Sequence, residues 1–273
     1  MLEVVAARDA ATLVLVRDAF AGGIEVFCVV RHSKSAFLGG AVVFPGGKVD
    51  PSDYDDAWEQ VSTPYEARGF ARAFAVAACR EALEEAALLP LDGRLGHGEL
   101  LALRAEVGAG KSLRELLRAR GLRVDLQRLH ALSRWVTPSS EPRRFDTRNF
   151  LTTASADEVG AHDEHETTAS FWARPDDILA RYARRELQLS PPTLVTLWEL
   201  GRDLARVANV QALLVRVQTA CLDPIEPKLV RDGDTMALVL PGDPEHDVNE
   251  VRTLETTRVV LRDGLWSPVR VAG

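Results

Sequence analysis

Arg80-Glu81-Ala82-Leu83-Glu84-Glu85-Ala86-Ala87-Leu88 decides how this chain is read. Three carboxylates crowd into five residues, directly after an apolar, alanine-rich run. On a helix, Glu81, Glu84 and Glu85 fall within roughly one quadrant. Like charges at that spacing repel, and an (i, i+4) pair costs a helix about 0.2–0.5 kcal/mol. Either the triplet is a solvated acidic face, or a hard divalent cation held by oxygen ligands offsets the repulsion.

The residues upstream weigh on that choice. Ala11–Val16 and Ile24–Val30 are apolar runs separated by Gly22-Gly23 and read as a β-hairpin. Phe37-Leu38-Gly39-Gly40 reads as a turn. Ala41–Phe44 reads as a short strand broken by Pro45-Gly46-Gly47, where glycine lets backbone approach a ligand closely. Asp50–Ser62 is acidic and irregular. Thr63-Pro64-Tyr65-Glu66 has the form of a capping box with proline at the first helical position, so a helix is expected from there to about Leu88, ended by Pro90.

Gly46-Gly47 taken with Arg80-Glu81-x-x-Glu84-Glu85 resembles the Nudix hydrolase signature: glycine, five residues, glutamate, seven residues, then Arg-Glu-apolar-x-Glu-Glu-x-Gly-apolar. Arg80 to Leu88 matches the second half, with Ala87 in place of glycine. The first half departs. About 19 extra residues lie between Gly47 and Arg80, and the glutamate expected eight positions before the arginine is Arg72. In the family that glutamate helps to hold the arginine and the metal shell. The stretch from Ala36 to Asp50 resembles the branch containing animal peroxisomal coenzyme A diphosphatases, which also carries an insertion within the motif. Trp135-Val136-Thr137-Pro138, Arg143 to Leu151, Trp172, Pro191-Pro192 and Leu240-Pro241-Gly242-Asp243 look like the same branch.

The resemblance implies an α+β fold, a Nudix-type α/β/α sandwich with a mixed sheet plus extra C-terminal helix and strands. A Nudix domain is expected over 1–220, with its insertion at about 51–70, and an extension over 221–273 packed on the same domain. It implies a metal-dependent diphosphatase acting on coenzyme A or acyl-coenzyme A to give 3′,5′-ADP and (acyl-)4′-phosphopantetheine. A pyrophosphatase of ADP-ribose or another nucleoside diphosphate derivative is the alternative enzyme, and a catalytically silent nucleotide sensor the alternative class. Three retained glutamates speak against the sensor.

The implied cofactor is Mg2+ or Mn2+, held by Glu81, Glu84 and Glu85 with the Gly46 carbonyl. Glu81 is either a ligand or the group that orients and deprotonates water, and Arg80 braces the cluster as a fixed cation. A carboxylate from a later loop is expected from Glu164 or Glu166, with Glu166 preferred. Arg31, Arg144 and Arg148 are the substrate-binding candidates, since guanidinium forks suit phosphate oxygens. Arg144 and Arg148 share a strand face with Asp146, so ion pairing is the competing reading, and Arg143 points the other way. His32 reads as structural. Trp135 and Trp172 read as core rather than as platforms for adenine.

Bulk properties agree with a small-molecule enzyme. The chain has 273 residues, 46% hydrophobic and 27% charged, with a net charge of −7 that argues against nucleic acid as partner. Cys28, Cys79 and Cys221 are odd in number and far apart, as in a reduced, cytoplasmic protein. No secretory signal and no 18-residue apolar run occur, and Val271-Ala272-Gly273 is not a peroxisomal address. A homodimer is compatible with all of this.

Downstream, Lys111–Arg120 reads as a basic amphipathic helix closed by Gly121. Leu129–Val136 and Arg144–Thr152 read as strands, as does Phe171-Trp172. Pro175–Tyr182 starts a helix, and one long helix is expected from Thr193 to about Ala220. Met236–Leu240 and a hairpin of Arg258–Leu261 with Leu265–Val271, turned at Asp263-Gly264, complete the reading.

Overall fold

Residues 11 to 16 alternate between two cores, and this organises the molecule. Ala11, Leu13 and Leu15 pack on one side of the central sheet, and Val14 and Val16 on the other. A strand buried on both faces needs cover on both, and that requires three layers. The computed structural model describes residues 5–20, 22–33, 39–66, 69–204, 209–232, 235–254 and 256–269. The expected turn at Phe37-Leu38 and the last residues of the C-terminal hairpin lie outside the described residues.

The described strands are β1 Arg8–Asp18, β2 Ile24–Arg31, β3 Ala41–Val43, β4 Gly46–Lys48, β5 His130–Val136, β6 Phe145–Thr153, β7 Thr167–Ala173, β8 Gln188–Leu189, β9 Pro224–Ile225, β10 Lys228–Asp232, β11 Thr235–Val239, β12 Arg258–Arg262 and β13 Leu265–Val269. The helices are α1 Arg72–Ala86, α2 His97–Gly108, α3 Leu113–Arg120, α4 Pro175–Ala183, α5 Pro191–Leu204 and α6 Val210–Val217. Strands β1–β9 form one mixed sheet. β1 pairs with β2 through Val16–Asp18, with β4 through Ala10–Thr12, and in parallel with β6 along its length. β2 in turn pairs with β3 at Val29 and Val30. The Phe44-Pro45 corner therefore carries the chain from the edge of β2 to the edge of β1, and Gly46-Gly47 resumes as a strand instead of ending one.

Helices α1, α2 and α3 cover one face and α4, α5 and α6 the other. The expected α/β/α sandwich is present. β10–β13 form a separate four-stranded antiparallel sheet. Val259, Leu240 and Trp266 join that sheet to the second core, and the Trp266 N–H donates to the Tyr182 hydroxyl at 2.7 Å. Among the described residues no helix is long and apolar enough to cross a membrane. Cys28 and Cys79 are buried and all three cysteines are free.

Four local expectations are corrected. The acidic stretch after β4 is ordered as two short 3-10 helices, Pro51–Tyr54 and Asp56–Gln60. Helix α1 begins at Arg72, not at Thr63-Pro64. The Thr63 side chain donates to Asp125 at 3.0 Å and accepts the Gln127 N–H, so it serves a long-range contact. α1 ends at Ala86, because Ala87 turns left-handed with φ 48°. That conformation closes helices and favours glycine, which the family pattern places there. The long C-terminal helix is two described helices, since Asn209 is extended and caps α6 by accepting the Ala212 N–H. Helix α2 and strand β10 were not anticipated.

Candidate active site

The C-terminal half of α1 meets β4 where the backbone is thinnest. Gly47 lies so close to Glu81 that a Cβ there would run into the carboxylate. Glu81 can turn over the strand only because that position has no side chain. Beside it the Gly46 N–H donates to Glu85 at 3.1 Å, so the contact formed at Gly46 runs through its N–H. Glu81, Glu84 and Glu85 thus converge with Gly46-Gly47 across the insertion.

Arg80 ties the group together. Its Nη1 donates to Glu81 at 2.9 Å and to Glu84 at 3.4 Å. Its Nε and Nη2 donate to the two oxygens of Asp53 at 3.1 and 3.0 Å, and Nη2 also donates to the Lys48 carbonyl at 2.9 Å. Those contacts use all five guanidinium N–H groups. Arg80 is therefore committed to the cluster and has no donor left over. Sequence reasoning missed Asp53, whose side chain is 0% exposed. Its only signal was its place in an acidic insertion.

The carboxylates outnumber their cation. Burial raises Glu81 to about 7, against the pull of Arg80, and the neighbouring Glu84 adds to the rise. Burial raises Glu85 to about 8, although the Gly46 N–H and Arg31 favour its charged form. Glu84 is also raised, by burial first. Burial works against the charge on Arg80, but Asp53 and Glu81 outweigh it and hold the group firmly cationic. Among the described residues no three carboxylate, imidazole or thiolate groups already stand together as a metal cage. The glutamates take Arg80 and Gly46 as partners instead. The donor set still fits a hard cation: it is all oxygen, largely desolvated and short of positive charge.

A cleft of about 830 Å³ opens over this cluster. Glu81 and Glu84 line it together with Gly46, Gly47, Lys48 and Asp50. Glu166 reaches it from the loop before β7, with His165, and its charge contributes to raising both Glu81 and Glu85. Glu164, the other late-loop candidate, is not among the lining residues. Arg31 lines the cleft, with one Nη 3.9 Å from Glu85, and His32 lies next to it.

The other two expected substrate contacts lie elsewhere. Arg144 is buried and donates to the carbonyls of Thr137 and Val5 and to Glu226. It joins β6 to the segment before β10. Arg148 pairs with Asp9 and Asp146 and lies 3.9 Å over the Phe74 ring. Both are held by structural partners, while Arg143, which points the other way, lines the cleft with Phe145 and Thr147. Trp135 is a core residue, and Trp172 packs edge-on against Phe27 beneath Arg17.

Comparison with known proteins points to one family. Residues 70–202 match the family model described as the NUDT19 Nudix domain. The chain is similar to a NUDIX hydrolase of known structure from Alicyclobacillus acidocaldarius, at 32% identity and a TM-score of 0.68, over 78% of this chain and 97% of that one. It is also 25% identical to the acyl-coenzyme A diphosphatase NUDT19 of Xenopus laevis, over 80% of this chain and 70% of that protein. The corresponding human protein is 27% identical, over 82% of this chain and 72% of its own length.

Proposed function

The chain belongs to the Nudix hydrolases, enzymes that split a phosphoric anhydride, and on that premise we propose that it cleaves coenzyme A or acyl-coenzyme A into 3′,5′-ADP and (acyl-)4′-phosphopantetheine. One observation carries the reading. The cleft that holds the glutamates is also lined by Arg31, His32, Lys48, Arg143 and His165. Coenzyme A carries a 3′-phosphate besides its diphosphate, and guanidinium and ammonium groups beside a metal-binding floor suit a ligand of that charge.

Mg2+ or Mn2+, held by Glu81, Glu84 and Glu85, would neutralise the diphosphate and acidify the attacking water. A water oxygen bonds to one phosphorus, the bridging P–O bond breaks, and its electron pair leaves with the other phosphate. Glu81 and Glu166 both line the cleft. Glu81, where it is not itself a ligand of the ion, or Glu166 from the later loop takes the water's proton. Arg80 holds Glu81 and Glu84 in place, and Gly46 orients Glu85 through its N–H.

Incubation with coenzyme A and with ADP-ribose under Mn2+ tests the proposal. Release of 3′,5′-ADP from coenzyme A at a higher kcat/KM than ADP-ribose turnover supports it. Preference for ADP-ribose replaces it with the nucleoside-diphosphate reading. Nucleotide binding by calorimetry without turnover of either replaces it with a sensor.

A further inference from the structure

The inserted segment between β4 and α1 is attached to the molecule at two places of different character. At its far end, the exposed side chains of Asp56 and Glu59 pair with Arg72 at the start of α1. At its near end, Asp53 is fully enclosed and reaches the centre of the site. Its two oxygens receive the Arg80 fork, and one of them also accepts the Asp50 N–H at 2.8 Å. The other end of the same guanidinium contacts Glu81 and Glu84. Asp53, Arg80 and the two glutamates therefore form one continuous hydrogen-bonded chain from the insertion to the cleft floor.

We propose that Asp53 is a positioning residue for the metal-binding glutamates: the inserted segment supplies the carboxylate that aims Arg80, and Arg80 in turn sets the rotamers of Glu81 and Glu84. The physical reason is competition. A free guanidinium among three glutamates would turn its whole fork onto them and occupy the oxygens a cation needs. Asp53 claims two of the five N–H groups and the Lys48 carbonyl another, which leaves Arg80 one edge for Glu81 and Glu84. The insertion is then part of the catalytic centre, and Arg72, the residue standing where the family pattern has glutamate, serves only its outer end.

This rests on the Nudix reading, and the test separates the two. Asp53→Asn keeps the volume and removes the charge, while Glu59→Gln loosens only the outer anchor. Mn2+ affinity is read by calorimetry without substrate, and kcat and KM by diphosphate hydrolysis. The expected result is that Asp53→Asn weakens Mn2+ binding about 10–100-fold and lowers kcat with KM little changed, whereas Glu59→Gln matches the wild type in both. Wild-type Mn2+ affinity and kcat in Asp53→Asn overturn the proposal, as does an equal loss in Glu59→Gln, which would make the insertion a general brace. If Asp53→Asn does not fold, Arg80→Lys reads the same link, since lysine cannot take both Asp53 oxygens. Weakened Mn2+ binding then supports the proposal and unchanged binding overturns it. A wild-type protein that hydrolyses no diphosphate sinks the functional reading alone, because the Mn2+ titration still reports on Asp53.

Discussion

Two regions of this molecule use the same building block to opposite ends. In each, an aspartate with a fully enclosed side chain accepts a two-pronged arginine fork: Asp53 from Arg80, and Asp243 from Arg258 at 2.9 and 2.6 Å. At Asp243 the enclosed charge is met. Glu245, largely exposed, is the second carboxylate on Arg258, and Asp243 is lowered because hydrogen bonds from Arg258 and the Glu245 N–H overcome its burial. At Asp53 the balance does not close. Arg80 faces Asp53, Glu81 and Glu84 together, with Glu85 behind them, and Glu81 and Glu85 rise to about 7 and 8. An ion pair that satisfies itself holds a fold together. A cluster left short of positive charge is built to receive more.

The sharpest way to break this comparison is at its active member. Glu81→Gln is expected to lower kcat by roughly 10²–10⁴-fold, in the range for loss of a general base, while the metal-free protein melts higher than wild type because buried negative charge has been removed. Steady-state kinetics beside calorimetric melting checks both, and a fall in both would make Glu81 an ordinary structural residue. Asp243→Asn should behave in reverse. Removing one partner of an enclosed pair costs about 3 kcal/mol, at the low end for buried pairs because Arg258 keeps some contact with water. Chemical denaturation should show that loss with kcat unchanged in the surviving folded protein.

The pH dependence sharpens the contrast further. The folded state binds protons on Glu81 and Glu85 more tightly than the unfolded chain, whose glutamates titrate near 4.5. Their charge therefore costs no stability below that pH, and the cost grows as pH rises through about 7 to 8. Without metal, the melting temperature of Glu85→Gln should move above that of wild type between pH 5 and pH 8. Mn2+ should raise the wild-type value more at pH 8 than at pH 6, because the ion replaces those protons. A gap that does not change with pH would mean the carboxylates are better compensated than their surroundings indicate. The smallest effect is expected at the end of α1, where no charge changes. Ala87→Gly relieves a left-handed residue worth roughly 1–2 kcal/mol, less the entropy of glycine at about 0.5–1 and the loss of a fully buried methyl at about 0.8. A net change below about 0.5 kcal/mol in denaturant unfolding is expected, with Mn2+ affinity unaltered.

Much of this was legible in the residues. The crowding of Glu81, Glu84 and Glu85 marked the site, and the Gly46-Gly47 pair marked the backbone that comes close to it, although it read as the end of a strand. Parity along β6 put Arg144 and Arg148 on one face and Arg143 on the other. Parity does not say which face the cleft occupies, and the cleft lies on the side of Arg143, Phe145 and Thr147. The capping pattern at Thr63 was real as local chemistry, but Asp125 and Gln127 claimed its hydroxyl from more than sixty residues away.

By itself the sequence determined the helix that carries the glutamates, the glycine pair at which backbone can come close to them, and the layered alternation of strands and helices. These follow from periodicity and from which side chains a backbone position tolerates, both short-range properties. Only the tertiary structure decided which arginine faces the cleft, and that Asp53, 27 residues before Arg80, completes the network. A buried charge selects its partner by distance in space and by exclusion of water, and neither is written in the spacing of residues along the chain.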